Sequence, residues 1–160
     1  LLKATAVPVV RTDRGGQVTY HGPGQLMLYT LFDLKALQLG IRQWVRTLEH
    51  TVIDHLADHG VIAHQSDEAP GVYINSAKVA SIGLRVRHGR TYHGMAINCA
   101  MDLAPFAHIN PCGYTNLTMT QLSAHPVPCS VPQVARALVE KLANRLSLSW
   151  QTAAWPMDCA

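Results

Sequence analysis

Ile41, Trp44, Val45, Leu48, Val52 and Leu56 recur at helical spacing, the pattern of a helix with one apolar stripe. That pattern predicts a helix over 41–59, and Gly60 is a good terminator for it. Residues 26–34 are apolar on both faces, which suits a central strand. Residues 7–10 read as a short strand. Three further runs, 72–74, 79–87 and 91–99, read as a meander turned at Asn75-Ser76 and at His88-Gly89. Segment 101–120 carries mixed signals and is expected to be loop with short helical turns. Ser130 followed by Gln133 predicts a capping box opening a second helix, with Pro132 acceptable in its first turn. Strands grouped in the middle of the chain, with helices flanking them, point to an α+β fold built on a sheet.

Two stretches fall outside these elements and carry chemistry. The first is Arg14-Gly15-Gly16-Gln17-Val18-Thr19-Tyr20-His21-Gly22-Pro23-Gly24-Gln25. Its glycines either bring backbone close to another group or turn it sharply, and exposed N–H groups beside Arg14 and His21 suit a carbonyl or phosphate-bearing ligand. The spacing fits neither a Walker loop nor a dinucleotide fingerprint. The second is Ile109-Asn110-Pro111-Cys112-Gly113-Tyr114, in which a cysteine is held in a turn between proline and glycine. Lys78, within Ala77-Lys78-Val79-Ala80-Ser81-Ile82-Gly83, is a partner able to hold that thiol as thiolate, the nucleophilic form. At about 4 Å and an effective dielectric near 20, the pair attracts by ~4 kcal/mol, or ~3 pKa units, and burial subtracts from this. Taken alone, the same residues also describe a buried, inert cysteine beside a solvated lysine.

The chain has 160 residues, 48% of them hydrophobic and 14% charged, which is the balance of a globular domain with a real core. A formal net charge of +3 is mild. It gives no reason to expect nucleic acid as a partner, but suits an acidic protein. Arg85, Arg87, His88 and Arg90 form the densest basic group, at one expected hairpin tip. The four cysteines, Cys99, Cys112, Cys129 and Cys159, make neither a C-x-x-C pair nor a metal spacing, so reduced thiols and a cytoplasmic setting are expected. No membrane span or signal peptide is visible. Among nine histidines, His55 and His59 share a helix face, but without the glutamate of a zinc motif they read as packed side chains, and no metal is expected. His93 sits on a strand before Gly94, placed either to orient a reacting group or to hydrogen-bond in the core.

Four separated segments agree with one family. RGGQVTYHGPGQ (14–25), GVYINSAKVASIGLRV (71–86), HGMAINCAMDL (93–103) and INPCGY (109–114) resemble the lipoyl(octanoyl) transferases, octanoyl-[acyl-carrier-protein]:protein N-octanoyltransferases, in order and spacing. The resemblance implies a mixed sheet with packed helices, similar to the biotin/lipoate protein ligase catalytic domain, spanning 1–160 as a single acyltransferase domain. It implies Cys112 as thioester nucleophile and Lys78 as the lysine that lowers its pKa. It also implies substrate-binding segments at Arg14, Gly15, Gly16, Gln17, Val18, Thr19, Tyr20 and His21, at Ser81, Ile82 and Gly83, and at Gly94, Met95 and Ala96. The implied reaction moves octanoate from the phosphopantetheine of acyl carrier protein to Cys112. From there it passes to a lysine of lipoyl domains, those of 2-oxoacid dehydrogenases or the glycine cleavage H protein, with no bound cofactor. An ATP-dependent lipoate or biotin protein ligase, and a non-catalytic module that binds carrier or lipoyl domains, are the alternatives. Family members carry a further N-terminal segment before the glycine-rich loop, so this chain is expected to lack it and to be poorly soluble or weakly active alone.

Overall fold

The structure is a computed structural model that describes residues 7–113 and 117–153, with Cys112 described by its backbone alone. Five strands, β1 (Gln25–Tyr29), β2 (His64–Gln65), β3 (Gly71–Ile74), β4 (Ala77–Arg87) and β5 (Arg90–Asn98), form one sheet in the order β1-β5-β4-β3-β2. All these pairings are antiparallel, and one isolated parallel bridge, Lys78 to Met119, adds a mixed element. Two helices, α1 (Ile41–Ala57) and α2 (Val131–Arg145), pack on one face.

The apolar stripe of α1 drives that layer. Trp44, Leu48, Val52 and Leu56 meet Val72, Ile74, Val79 and Ile97 from the sheet, and Val134, Leu138 and Leu142 from α2. Each fully buried leucine contributes roughly 1.5–3 kcal/mol. Helix α1 starts at Gly40, whose N–H donates to the Gln43 side chain (2.8 Å), and it ends before Gly60, which adopts φ 73°. The β3–β4–β5 meander turns at Asn75 (φ 53°) and at His88-Gly89 (φ 53° and 82°), where two successive left-handed residues match the right-handed strand twist. Along β3–β4 the register shifts at Val72/Tyr73: Val72 pairs with Ala80 and Tyr73 with Lys78.

Four expectations change. The 26–34 run is an edge strand, not a central one. It stops at Tyr29, and Met27, Tyr29 and Leu31 are exposed. Residues 7–10 join no ladder, because the described sheet offers them no partner strand. Ser130 makes no side-chain cap, so the capping box is not formed. The two-residue strand β2 was not expected. It pairs His64 with Tyr73 and Gln65 with Val72, too short a run for alternation to reveal. The described parts of segment 101–120, residues 101–113 and 117–120, hold short 3₁₀ turns at Ala104–His108 and Pro111–Gly113 within loop, as expected there. No helix among the described residues is long and apolar enough to cross a membrane.

Candidate active site

The face of the sheet away from the helices holds a cavity of about 170 Å³. Its floor follows from strand register. Ser81 pairs with Ala96, Ile82 with Met95 and Gly83 with Gly94, while β1 brings Met27 beside Ala96 and Tyr29 beside Gly94. Side chains alternate across a strand, so Ile82 and Met95 turn into the helix-side core. Ser81, Gly83, Gly94 and Ala96 are left on the opposite face, and these small residues make a trough. A Cβ on Gly83 would sit 3.1 Å from Arg14 Cδ, so glycine there lets the loop close over the floor.

That loop is the glycine-rich segment. Arg14, Gly15, Gly16, Gln17, Thr19 and His21 line the same cavity. Val18 and Tyr20 do not. They face a second, larger hollow of about 520 Å³ on the other side of the loop. Arg14 is a brace within this loop: Nη1 donates to the Gln17 carbonyl (2.8 Å) and the Gly15 carbonyl (3.2 Å). The Gly15 N–H donates to the Leu84 carbonyl on β4 (2.9 Å).

Asp13 pins the loop at its start. Its carboxylate accepts from His93 Nε2 (2.9 Å) and from the Tyr92 hydroxyl (2.7 Å), and its carbonyl accepts from Arg85 Nη1 (2.9 Å). The His93 bond, then the Tyr92 bond, hold the Asp13 carboxyl below the usual carboxylate range, while the same contact raises the Tyr92 hydroxyl. His93 has a left-handed backbone (φ 64°) and lines the cavity. At its other end the loop is fixed by an amide chain. His21 Nδ1 meets Gln25 Oε1 (2.8 Å), Gln25 Nε2 donates to Asn98 Oδ1 (2.9 Å), and Asn98 Nδ2 donates to the Thr120 carbonyl (2.9 Å).

Thr120 leads to Lys78. The Thr120 N–H donates to the Lys78 carbonyl (2.9 Å), and the Lys78 N–H donates to the Thr118 carbonyl (2.8 Å). The Lys78 side chain is 1% exposed, with Nζ 5.4 Å from the centre of the Tyr73 ring. It lies across Gly71, where a Cβ would meet Lys78 Cε at 2.4 Å and Nζ at 3.1 Å. Gly71 is held in turn by Glu49 of α1, which accepts its N–H (2.9 Å); burial raises the Glu49 carboxyl above its ordinary range. Cys112 lies in the Pro111–Gly113 turn, closed by the Gly113 N–H to the Asn110 carbonyl (2.9 Å). That turn abuts the loop: a Cβ on Gly113 would be 3.0 Å from Gln17 Cδ. The Cys112 side chain and Tyr114 lie outside the described residues, as does Cys159.

Cys99 and Cys129 are free thiols, and burial pushes Cys99 up to about 11. His55 is buried against His59, ring centres 5.2 Å apart, and burial lowers its pKa. No cluster of metal-ligating side chains occurs among the described residues. Sequence reasoning missed Asp13, Gln25, Glu49, Asn98 and Thr120, which hold the site without bearing a reactive group. Gln25 and Asn98 fall inside the quoted segments 14–25 and 93–103 without being singled out, and Glu49 left a signal of its own, a carboxylate flanked by Leu48 and Val52 on the apolar stripe.

The lipoyl protein ligase A/B catalytic domain family model matches residues 1–143. The octanoyltransferase of Chromobacterium violaceum is 51% identical over 153 residues, covering 96% of this chain and 74% of the relative. That of Pseudomonas fluorescens is 52% identical over 152 residues, covering 95% and 71%. Among solved structures, lipoate-protein ligase A bound with ATP superposes with a TM-score of 0.69 at 17% identity, and the chain spans 61% of its length. Biotin protein ligase from Aquifex aeolicus gives 0.62 at 16% identity, with 53% of its length spanned. At such low identity the two structures speak for fold alone. The family match and the 51–52% identity of the octanoyltransferases go further, and by them this chain belongs to the lipoyl protein ligase A/B catalytic domain family, on its octanoyltransferase side.

Proposed function

We propose that the chain is an octanoyltransferase of protein lipoylation that works through a Cys112 thioester, with residues 1–160 acting as one catalytic domain. The observation that carries this reading is the convergence of the glycine-rich loop, Ser81-Ile82-Gly83 and Gly94-Met95-Ala96 on one cavity, with the Pro111–Gly113 turn against Gln17 and Lys78 tied to the segment that follows it. In the first step the Cys112 thiolate attacks the carbonyl carbon of an octanoyl thioester. The carbon–sulfur bond of the donor breaks, and the departing phosphopantetheine thiolate takes a proton from the Lys78 ammonium. In the second step a lipoyl-domain lysine amine attacks the acyl-Cys112 carbonyl. Its proton passes to Lys78, and the Cys112 thiolate leaves. Thioester exchange is nearly isoenergetic and amide formation is downhill, so neither step needs ATP or a bound cofactor. The donor is octanoyl-acyl carrier protein, and the acceptors are lipoyl domains of 2-oxoacid dehydrogenases or the glycine cleavage H protein. A reducing cytoplasm keeps the thiol free.

The test is intact-mass analysis after incubation with octanoyl-acyl carrier protein in the absence of ATP. One octanoyl group is expected on the wild-type chain, chased off by a lipoyl domain, and none on Cys112→Ala. Lys78→Ala should acylate slowly near neutral pH and recover partly at alkaline pH, where the thiol ionises unaided. Modification that requires ATP and free octanoate, and persists in Cys112→Ala, would replace this reading with that of a ligase.

A further inference from the structure

The trough continues past the cavity. Along the same face of β4, Ser81 and Gly83 are followed by Arg85 and Arg87. Opposite them on β5, Gly94 is followed outward by Tyr92 and Arg90, which pair with Arg85 and Arg87. Lys35, remote in sequence, packs against the turn, since a Cβ on Gly89 would meet its side chain at 3.0 Å. Five basic side chains, Lys35, Arg85, Arg87, His88 and Arg90, thus surround this hairpin end. The acids that answer them are Asp33, 3.5 Å from Arg90 Nε, and Asp13, whose carboxylate is taken by His93 and Tyr92. Arg85 is engaged with the Asp13 carbonyl, whereas Arg87 is exposed and Arg90 is 77% exposed. Exposed Tyr29 flanks the cavity mouth, and arginine and tyrosine are the residues that anchor protein interfaces.

We infer that the Arg87/Arg90 end of the β4–β5 hairpin is the docking surface for an acidic carrier protein that presents its acyl group on a long flexible arm. This rests on the acyl-transfer reading above. Distance selects the donor over the acceptor. From Arg87 back to Gly83 is four strand residues, about 13 Å along the trough at the usual rise. A lysine side chain is too short to cover that span from a body seated on the tip, whereas a pantetheine-type arm laid along the small-residue floor covers it. The tip works by steering, so it raises encounter and affinity and leaves the acyl-transfer step alone.

The experiment pairs Arg87→Glu/Arg90→Glu with Arg87→Ala/Arg90→Ala, both checked by thermal melting against the wild-type chain. Binding of octanoyl-acyl carrier protein is measured by fluorescence anisotropy, separately from acylation by octanoyl-pantetheine, a small donor without an acidic body. The expected result is a loss of carrier affinity of about tenfold or more at low salt for the Glu pair, and a smaller loss for the Ala pair. Both losses should shrink as salt shortens the Debye length below ~8 Å. Acylation by octanoyl-pantetheine and affinity for a lipoyl domain should be unchanged. Unaltered carrier binding, absent carrier binding in the wild type, or a loss confined to the lipoyl domain would each overturn the inference. If octanoyl-pantetheine fails to acylate wild-type Cys112, the transfer reading fails instead, and the binding arm still reports on the surface.

Discussion

Lys78 is a lysine at 1% exposure, and what admits it is an absent side chain on the neighbouring strand. Gly71 carries φ 145° and leaves room for the Lys78 methylenes, while Glu49 holds the Gly71 N–H. Gly71→Ala would place a Cβ 2.4 Å from both Lys78 Cε and the Ala80 carbonyl oxygen. We expect a loss of about 1–3 kcal/mol in urea unfolding from overpacking. We also expect the pH profile of Cys112 alkylation to move upward as the lysine is displaced; an unmoved profile would separate Gly71 from the dyad. Cys112 and Lys78 stood out as candidates because cysteine between proline and glycine, and lysine at the start of a small-residue strand, are local signals. Glu49 and Asp13 did not, because their partners Gly71 and His93 are brought to them only by the fold.

The glycine-rich loop is useful to the site only if it stays on the hairpin, and Asp13 is its first attachment. Asp13→Ala removes the bonds from His93 and Tyr92. These lie at the surface, so the melting temperature should fall by less than about 4 °C. The rate of octanoyl transfer should fall much more, because Gly15 and Arg14 lose their position over Gly83. A depressed carboxyl pKa means this attachment is complete at neutral pH and is lost only as pH drops through that low value. Acidification below the ordinary carboxylate range should therefore imitate the variant, and equal losses of rate and stability would mean Asp13 merely holds the fold. Amphipathic periodicity had located the first helix and turn residues the meander, while the second helix was found from a Ser130–Gln133 cap that does not form. The apolar run 26–34 was misjudged, because an apolar strand at an uncovered edge has the same composition as one in the middle of a sheet.

The molecule divides its work between two faces. Helices α1 and α2 cover one and supply the core, and the loop 12–21 lies over the other and lines the cavity. β1 ends the described sheet with its outer edge unpaired, and Leu31 beyond it is 70% exposed. Such an edge templates association with a second chain. Concentration-dependent light scattering should reveal it, and Leu31→Lys should reduce it without touching the cavity; equal scattering by both would clear the edge. Fold class was legible from the order of strands and helices. Site depth was not, because it depends on which of two alternating faces each strand turns to the loops.

The shifted register between β3 and β4 decides that question for the lysine. Ser81 and Lys78 are an odd number of residues apart, and in an unbroken strand an odd interval puts two side chains on opposite sides. The extra residue at Val79 reverses the count, so Val79 and Ala80 both stay in the core while Lys78 rejoins the side of Ser81 and Gly83. The bulge is thus a phase correction. It lets one strand keep two consecutive apolar residues for the core and still turn a lysine to the face that carries the trough. Regular pairing through Val79, with no residue removed, would conserve every chemical group of the site and still turn the lysine towards the helices.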